Sequence, residues 1–450
     1  MLAAPKELFI ESACEHNATK KSACNRPTPG ATSGGCAFEG AQISLFPFAE
    51  AAHIVHGPAT CLGASWETRQ TLTTHSGRDM TQTGLCTQIG ENEVIFGGEK
   101  RLAAAIDEAI KTFAPKAVFV YSTCVTALIG DDIDAVCKAK GDEYDVPIVP
   151  VHAPGFVGSK NFGSRLAGEA LFGRLIGTLE PTETKPFEIN LLGEYNVTGD
   201  MLRYTPILNE IGINVRATLS GDGRIDAIRS AHRAKLNALV CAQSLVTLAR
   251  KMQERYGIPY VSVSFYGKRD TSNAIRAIAG AFGDEALIAK ANEVIAKYEA
   301  RCEAKLAPYK AKLIGKKAVL NTGGNKSWAF ISALQDIGVE VTATAINKAT
   351  LEDQAKARAY LGAKGVLMKK PADEQAKAIK ESGADILFAG GRSLYTALKN
   401  NVAFVDVNQE KKVSYGGYDG LIDFAADVLA ALENPAFKIA NSKAPWEKAV

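Results

Sequence analysis

Short β-branched runs recur along the chain, each closed by a turn of Gly, Ser, Asn or Asp and followed by a stretch whose apolar residues fall three and four apart. The run "AVFVYST" at 117–123 predicts a buried strand with a helix near 127–139, and "VPIVPVH" at 146–152 predicts a strand with a helix beginning near Ser159. The pattern returns in "FEINLLGEY", "INVRATLSGDG", "LNALVCAQ" and "PYVSVSFYG". It returns again in "KAVLNTGGNKS", "VEVTATAI", "KGVLMKK", "ADILFAGGRS" and "VAFVDV", which alternate with predicted helices at 326–337 and 372–382. A Lys- and Ala-rich stretch at 285–316 reads as one long helix. Strand and helix alternation of this kind implies right-handed crossovers and mostly parallel sheets. The expected fold class is therefore α/β, with three doubly wound, Rossmann-like domains at 31–186, 187–312 and 313–450 after a polar N-terminal arm at 1–30.

Composition narrows the function classes. With 450 residues, 46% hydrophobic and 22% charged, the chain reads as an ordinary globular protein of several domains. A formal charge of +3 with no long basic run argues against a nucleic-acid partner. No apolar stretch is long enough to cross a bilayer and the N-terminus lacks the apolar core of a signal peptide, so a cytoplasmic location is expected. In that compartment the nine cysteines are expected as thiols, available for metal, rather than as disulfides.

The turns carry the candidate chemistry. "NTGGNKS" and "AGGRS" follow strands and open helices, where backbone N–H groups favour an anion. Neither has the spacing of a dinucleotide or P-loop motif; a glycine pair that lets the backbone turn is the commoner case, and an anion other than a nucleotide stays open. "GGCAFEGA" sets Cys36 after two glycines, "HGPATCLGASWETR" sets Cys61 after a Gly-Pro turn, and Cys124 closes a strand in "VFVYSTCVTALIGDD". Bendable backbone beside a cysteine lets a bulky inorganic group approach, but three thiolates are one short of the usual four around an iron–sulfur cluster. Cys241 stands at the carboxyl end of another predicted strand, just before a helix. Cys14, Cys24, Cys86, Cys137 and Cys302 lie in no comparable motif and are expected as spare thiols.

These motifs, together with "VHAPGFVGSKNFGSRLAGEALF", "LSGDGRIDAIRSAHRAKLNALVCAQSLVTLARKM", "TGGNKS" and "YGGYDG", resemble the nitrogenase component 1 superfamily over nearly the whole chain. The likeness is strongest to the α-like subunits of its cofactor-assembly branch. The resemblance implies a scaffold rather than a turnover enzyme, so no catalytic residue is expected. It implies an α2β2 complex with a homologous β-like subunit, and two further partners: the nitrogenase iron protein and apo-nitrogenase as cofactor acceptor. A [4Fe-4S] cluster would be shared between the subunits through Cys36, Cys61 and Cys124, with the fourth cysteine from the partner. Cys241 would anchor an eight-iron precursor of the iron–molybdenum cofactor, which is matured with molybdenum and homocitrate.

Two departures bear on function. Where the catalytic α subunit of the family has a histidine as second cofactor ligand, "VDVNQEKKVSYGGYDG" has none and Asn408 is the nearest counterpart. A histidine over the cofactor is replaced by Arg165. An amide oxygen is a poorer iron ligand than imidazole, and a guanidinium does not relay protons. Arg69, Lys326 and Arg392, near turns, are candidates to steer the cluster's negative charge and a carboxylate such as homocitrate. A nitrogenase-type reductase subunit and the equivalent scaffold of a vanadium system are the alternatives.

Overall fold

A computed structural model describes residues 35–66, 71–77, 83–408, 411–440 and 442. The expected N-terminal arm, Cys14, Cys24 and Arg69 lie outside the described residues. Three sheets form, and every pairing within them is parallel. The first runs β2-β1-β3-β4, from β1 (Ala51–His56), β2 (Gly84–Cys86), β3 (Ala117–Ser122) and β4 (Ile148–Val151). The second runs β6-β5-β7-β8, from β5 (Glu188–Glu194), β6 (Asn214–Ser220), β7 (Leu236–Leu239) and β8 (Tyr260–Ser262). The third runs β11-β10-β9-β12-β13, from β9 (Lys317–Asn321), β10 (Glu340–Ala345), β11 (Val366–Met368), β12 (Ile386–Ala389) and β13 (Ala403–Asp406). This is the α/β class with Rossmann-like sheets that the alternation predicts.

By packing, the chain divides into two compact units, Met1–Val197 with Ile213–Ser262, and Thr198–Gly212 with Val263–Val450. The first carries two sheets and the second carries one. Helix Asp200–Ile211, which follows β5 in sequence, belongs with the second unit.

In the first unit one apolar core joins both sheets. Phe38, Leu45 and Phe48 meet Phe119, Tyr121, Val149, Leu166, Leu192, Leu219, Leu239, Leu245 and Met252, all buried. Each such side chain contributes about 1.5–3 kcal/mol by leaving water. Helix Lys160–Arg174, capped at the predicted Ser159, packs on helix Ala37–Leu45. A Cβ on Gly40 would lie 1.8 Å from the Lys160 carbonyl oxygen, and one on Gly163 would lie 1.8 Å from that of Ala37. Only glycine lets these two backbones touch, and that contact fixes where Cys36, at the start of the first helix, can be.

Two elements differ from expectation. β1 is central and fully buried, yet its sequence "AAHIVH" predicts no strand because two histidines interrupt the apolar run. His53 is accommodated as a neutral core residue: its Nε2–H donates to the Phe48 carbonyl (3.4 Å), its Nδ1 accepts from Tyr121 (2.8 Å), and burial drives its pKa down to about 3. The predicted single helix near 127–139 is two, Cys124–Ile129 and Ile133–Tyr144. Gly130 turns left-handed (φ +84°) and Asp132 caps the second helix by accepting from Ala135 N–H (3.0 Å).

In the second unit, buried Asp270 accepts from Tyr360 (2.6 Å). Burial pushes its carboxyl up to about 6, against the hydrogen bond from Tyr360 and the charge of Arg269. Between the ordinary carboxylate range and that value, the folded form keeps a proton that the unfolded chain has lost. Stability is therefore expected to fall by roughly 3 kcal/mol as pH rises through this window and to stay flat above it. Asp270→Asn should remove that slope, read as the difference between variant and wild-type melting temperatures at acid and neutral pH.

Candidate functional site

The three cysteines widely separated in sequence meet in the first unit. Cys36 is the N-cap of helix Ala37–Leu45, Cys61 lies in the first turn of helix Ala59–Trp66, and Cys124 is the first residue of helix Cys124–Ile129. Backbone N–H groups left unpaired at a helix start favour negative charge nearby, which suits a thiolate. A Cβ on Gly155 would stand 3.0 Å from the Cys124 sulfur and 3.1 Å from the Cys36 sulfur, so both face that bare α-carbon. An isolated bridge between Cys36 and Ser159 holds the segment after Gly155 alongside. Burial pushes the Cys61 thiol up to about 11, and negative charge at Cys124, Cys36 and Cys86 adds to the effect. Left alone, the Cys61 thiol resists ionising. A bound cation would reverse that preference, because a metal takes the thiolate and releases the proton.

Among the described residues, no three His, Cys, Asp or Glu side chains draw close enough to hold one metal ion. A multi-iron cluster makes no such demand, since each of its thiolates binds a different iron. The soft donor set, the side-chain-free surface at Gly155 and the half-buried sulfurs all fit a cluster of that kind.

Residues 36–433 match the family Nitrogenase component 1 type Oxidoreductase. The chain belongs to this family. It is 49% identical to the nitrogenase iron-molybdenum cofactor biosynthesis protein NifE of Nostoc sp., over 98% of this chain and 93% of that protein. The protein of the same name from Klebsiella pneumoniae is 42% identical, over 98% of each. Among solved structures, nitrogenase Cp1 at pH 5 is similar with a TM-score of 0.85 and 27% identity, over 96% of this chain and 95% of that one.

The other candidate residues of this nitrogenase component 1 chain are placed as follows. Cys241 caps helix Ala242–Tyr256 just beyond β7, as the sequence predicts, and is partly buried. Its main chain lies against Gly193 (φ +85°), where a Cβ would stand 2.7 Å from the Cys241 Cβ. Arg165 is buried in helix Lys160–Arg174. Lys326, Arg392 and Asn408 belong to the second unit, at the carboxyl ends of its strands. β9 and β12 are neighbours whose following segments run to opposite sides of the sheet, the switch point where open α/β sheets bind ligands. Lys326 opens the helix after β9 and donates to the Val407 carbonyl (2.8 Å). Arg392 is exposed in the turn Gly391–Ser393 after β12. Asn408 follows β13, with its amide nitrogen 3.0 Å from where a Cβ on Gly390 would be. The structure thus brings Cys36, Cys61 and Cys124 together in one unit, and Lys326, Arg392 and Asn408 to one sheet edge in the other.

Sequence reasoning missed three features. Cys86 adjoins the thiol group: its Sγ–H donates to the Gly57 carbonyl (3.3 Å), and burial raises its pKa. Asp222 and Asn196 stitch residues 71–75 to the second sheet. Asp222 accepts from Thr73 (2.7 Å) and Thr74, and Asn196 donates to the Leu72 carbonyl (2.8 Å). In the second unit, buried Asp200 pairs with Lys411 and accepts from Tyr415 N–H (2.7 Å), Gly416 N–H (3.1 Å) and Tyr266 (2.9 Å). Burial alone would push Asp200 up, but Lys411, with Lys326 and Tyr266, holds its carboxyl below the usual value. This pair tethers the segment just after Asn408. None of the three carries a sequence signal beyond that of an ordinary polar residue or thiol.

Gly155→Val should place methyl groups where the Cys36 and Cys124 sulfurs now lie. Iron bound per complex is expected to fall severalfold, with far-ultraviolet circular dichroism unchanged. Cys86→Ser keeps a donor for the Gly57 carbonyl and should leave iron content at the wild-type level.

Proposed function

We propose that this chain is the α-like subunit of a nitrogenase cofactor-assembly scaffold. It holds an iron–sulfur precursor while molybdenum and homocitrate are added, and then yields the product to apo-nitrogenase. The observation that carries the reading is the gathering of Cys36 and Cys124 at Gly155, with Cys61 close enough to feel the charge of both. In this reading the three thiolates hold a [4Fe-4S] cluster from one side, and a cysteine of a β-like, NifN-type subunit completes it in an α2β2 complex. Cys241 anchors the eight-iron precursor. Lys326 and Arg392, with Arg69 and Arg165, steer its negative charge and the homocitrate carboxylates.

The scaffold reading is favoured over the reductase by two observations. Identity to the proteins named for cofactor biosynthesis is 42–49%, against 27% to nitrogenase Cp1. The segment from Val405 to Gly420 also has no histidine, so a cofactor anchored at Cys241 lacks a strong second ligand there. Weak retention at one end suits a protein that must release what it builds. The nitrogenase iron protein is the third partner of this reading. The side chains of Ile95, Phe96 and Leu128, 71%, 84% and 74% exposed on two helices that pack together, offer a partner an apolar surface beside Cys124.

The test is reconstitution. The complex with its partner subunit, given the iron protein, molybdate and homocitrate, should activate cofactor-free nitrogenase while forming little ammonia itself. Cys36→Ala, Cys61→Ala and Cys124→Ala should each lose the paramagnetic signal of the reduced [4Fe-4S] cluster. Cys241→Ala should lose the larger precursor and keep that signal. Asn408→His should slow transfer to apo-nitrogenase. Ammonia formation by the unmixed complex at nitrogenase-like rates would replace the scaffold reading with the reductase one.

A further inference from the structure

We propose that His56 and Asp131 are positioning residues for the iron–sulfur cluster, forming a buried clasp that sets the separation of the loops bearing Cys61 and Cys124. The inference rests on the cluster reading given above. His56 is the last residue of β1, so its main chain leads directly into the Gly57-Pro58 turn and Cys61. Its ring is fully buried, and the Asp131 side chain is 2% exposed. Nε2–H donates to Asp131 Oδ2 (2.9 Å), while Nδ1 accepts from the Thr87 hydroxyl (3.1 Å). That hydroxyl in turn accepts from Gly57 N–H (3.1 Å), and the Asp131 carboxylate, which can only accept, keeps the imidazole proton on Nε2.

The carbonyl of the same residue binds the other ligand loop. Thr123 and Thr126, on either side of Cys124 in sequence, donate their hydroxyls to the His56 oxygen at 2.9 and 3.0 Å. Asp131 closes the circuit from behind, since its Oδ1 accepts from Gly98 N–H (2.9 Å) and it stands two residues before the start of helix Ile133–Tyr144. One residue thus ties the loop of Cys61, the loop of Cys124 and, through Thr87, the strand end at Cys86. A buried polar group of this kind is costly unless every partner is in place, so the distances between the loops are set together. Bound iron responds to such outer contacts, because small shifts of a thiolate change both affinity and electron energy.

Gly98 allows a test that removes no functional group. A Cβ there would lie 2.7 Å from Asp131 Oδ2 and 3.0 Å from His56 Cε1, in the clasp, and 2.8 Å from the end of the Ile89 side chain. In the complex with the β-like subunit, His56→Ala and Gly98→Ala are expected to speed iron loss to a chelator about tenfold. They should also move the midpoint potential of the reduced-cluster signal. His56→Gln, which retains an N–H donor toward Asp131, should recover most of the wild-type retention. If His56→Ala does not fold, Gly98→Ala carries the same test. Wild-type iron loss and wild-type potential in the variants, even with a lowered melting temperature, would make the pair a plain core contact and overturn the proposal. Cys124→Ala measured beside them separates the two readings: a lost signal there with unchanged clasp variants overturns the clasp alone, and an unchanged signal there overturns the cluster reading itself.

Discussion

The sulfurs of Cys36 and Cys124 face the bare α-carbon of Gly155, and much of the first unit serves to keep them there. Burial pushes the Cys61 thiol up to about 11, and the neighbouring sulfurs add to the effect. Backbone contacts hold the place where the sulfurs gather. Helices Ala37–Leu45 and Lys160–Arg174 touch main chain to main chain at Gly40 and Gly163, and the Thr123 and Thr126 hydroxyls bind the carbonyl of His56. Positive charge at the centre is left for the metal to supply.

The two units use their strand ends differently. In the first, the carboxyl ends of β3 and β7 lead into Cys124 and Cys241, both soft donors at helix starts. In the second, the ends of β9, β12 and β13 lead into Lys326, Arg392 and Asn408, a cationic and neutral-polar edge with no thiol. The Asp200–Lys411 pair anchors the segment after Asn408, since its buried carboxylate gathers Tyr415 and Gly416 of that segment together with Tyr266 from beyond β8. Breaking such a pair strands a buried charge, so the tether holds only while both partners remain.

Legibility followed burial. Strands with nearly continuous apolar runs, such as Ala117–Ser122 and Ile386–Ala389, were evident because burial on both faces demands continuous apolar sequence. β1 escaped because His53 and His56 break that run, although each is satisfied by neighbours from distant segments, Tyr121 for one and Asp131 for the other. The split between helices Cys124–Ile129 and Ile133–Tyr144 escaped because apolar spacing continues across a break that a single left-handed glycine enforces. Cys36, Cys61 and Cys124 were legible as candidates from their turns. Cys86, in a short edge strand without such a turn, gave no sign that it stands beside them.

By itself the sequence determined the α/β class, the strand-end positions of Cys124 and Cys241, and the absence of a histidine near Asn408, because each depends only on local order along the chain. Tertiary structure alone decided which thiols meet, that Cys36 and Cys124 share the surface at Gly155, and that His56 joins the segments of Cys61 and Cys124. Those facts depend on contacts between residues tens of positions apart, such as Gly40 with Lys160 and Thr126 with His56. Packing, not local propensity, brings such residues to one point.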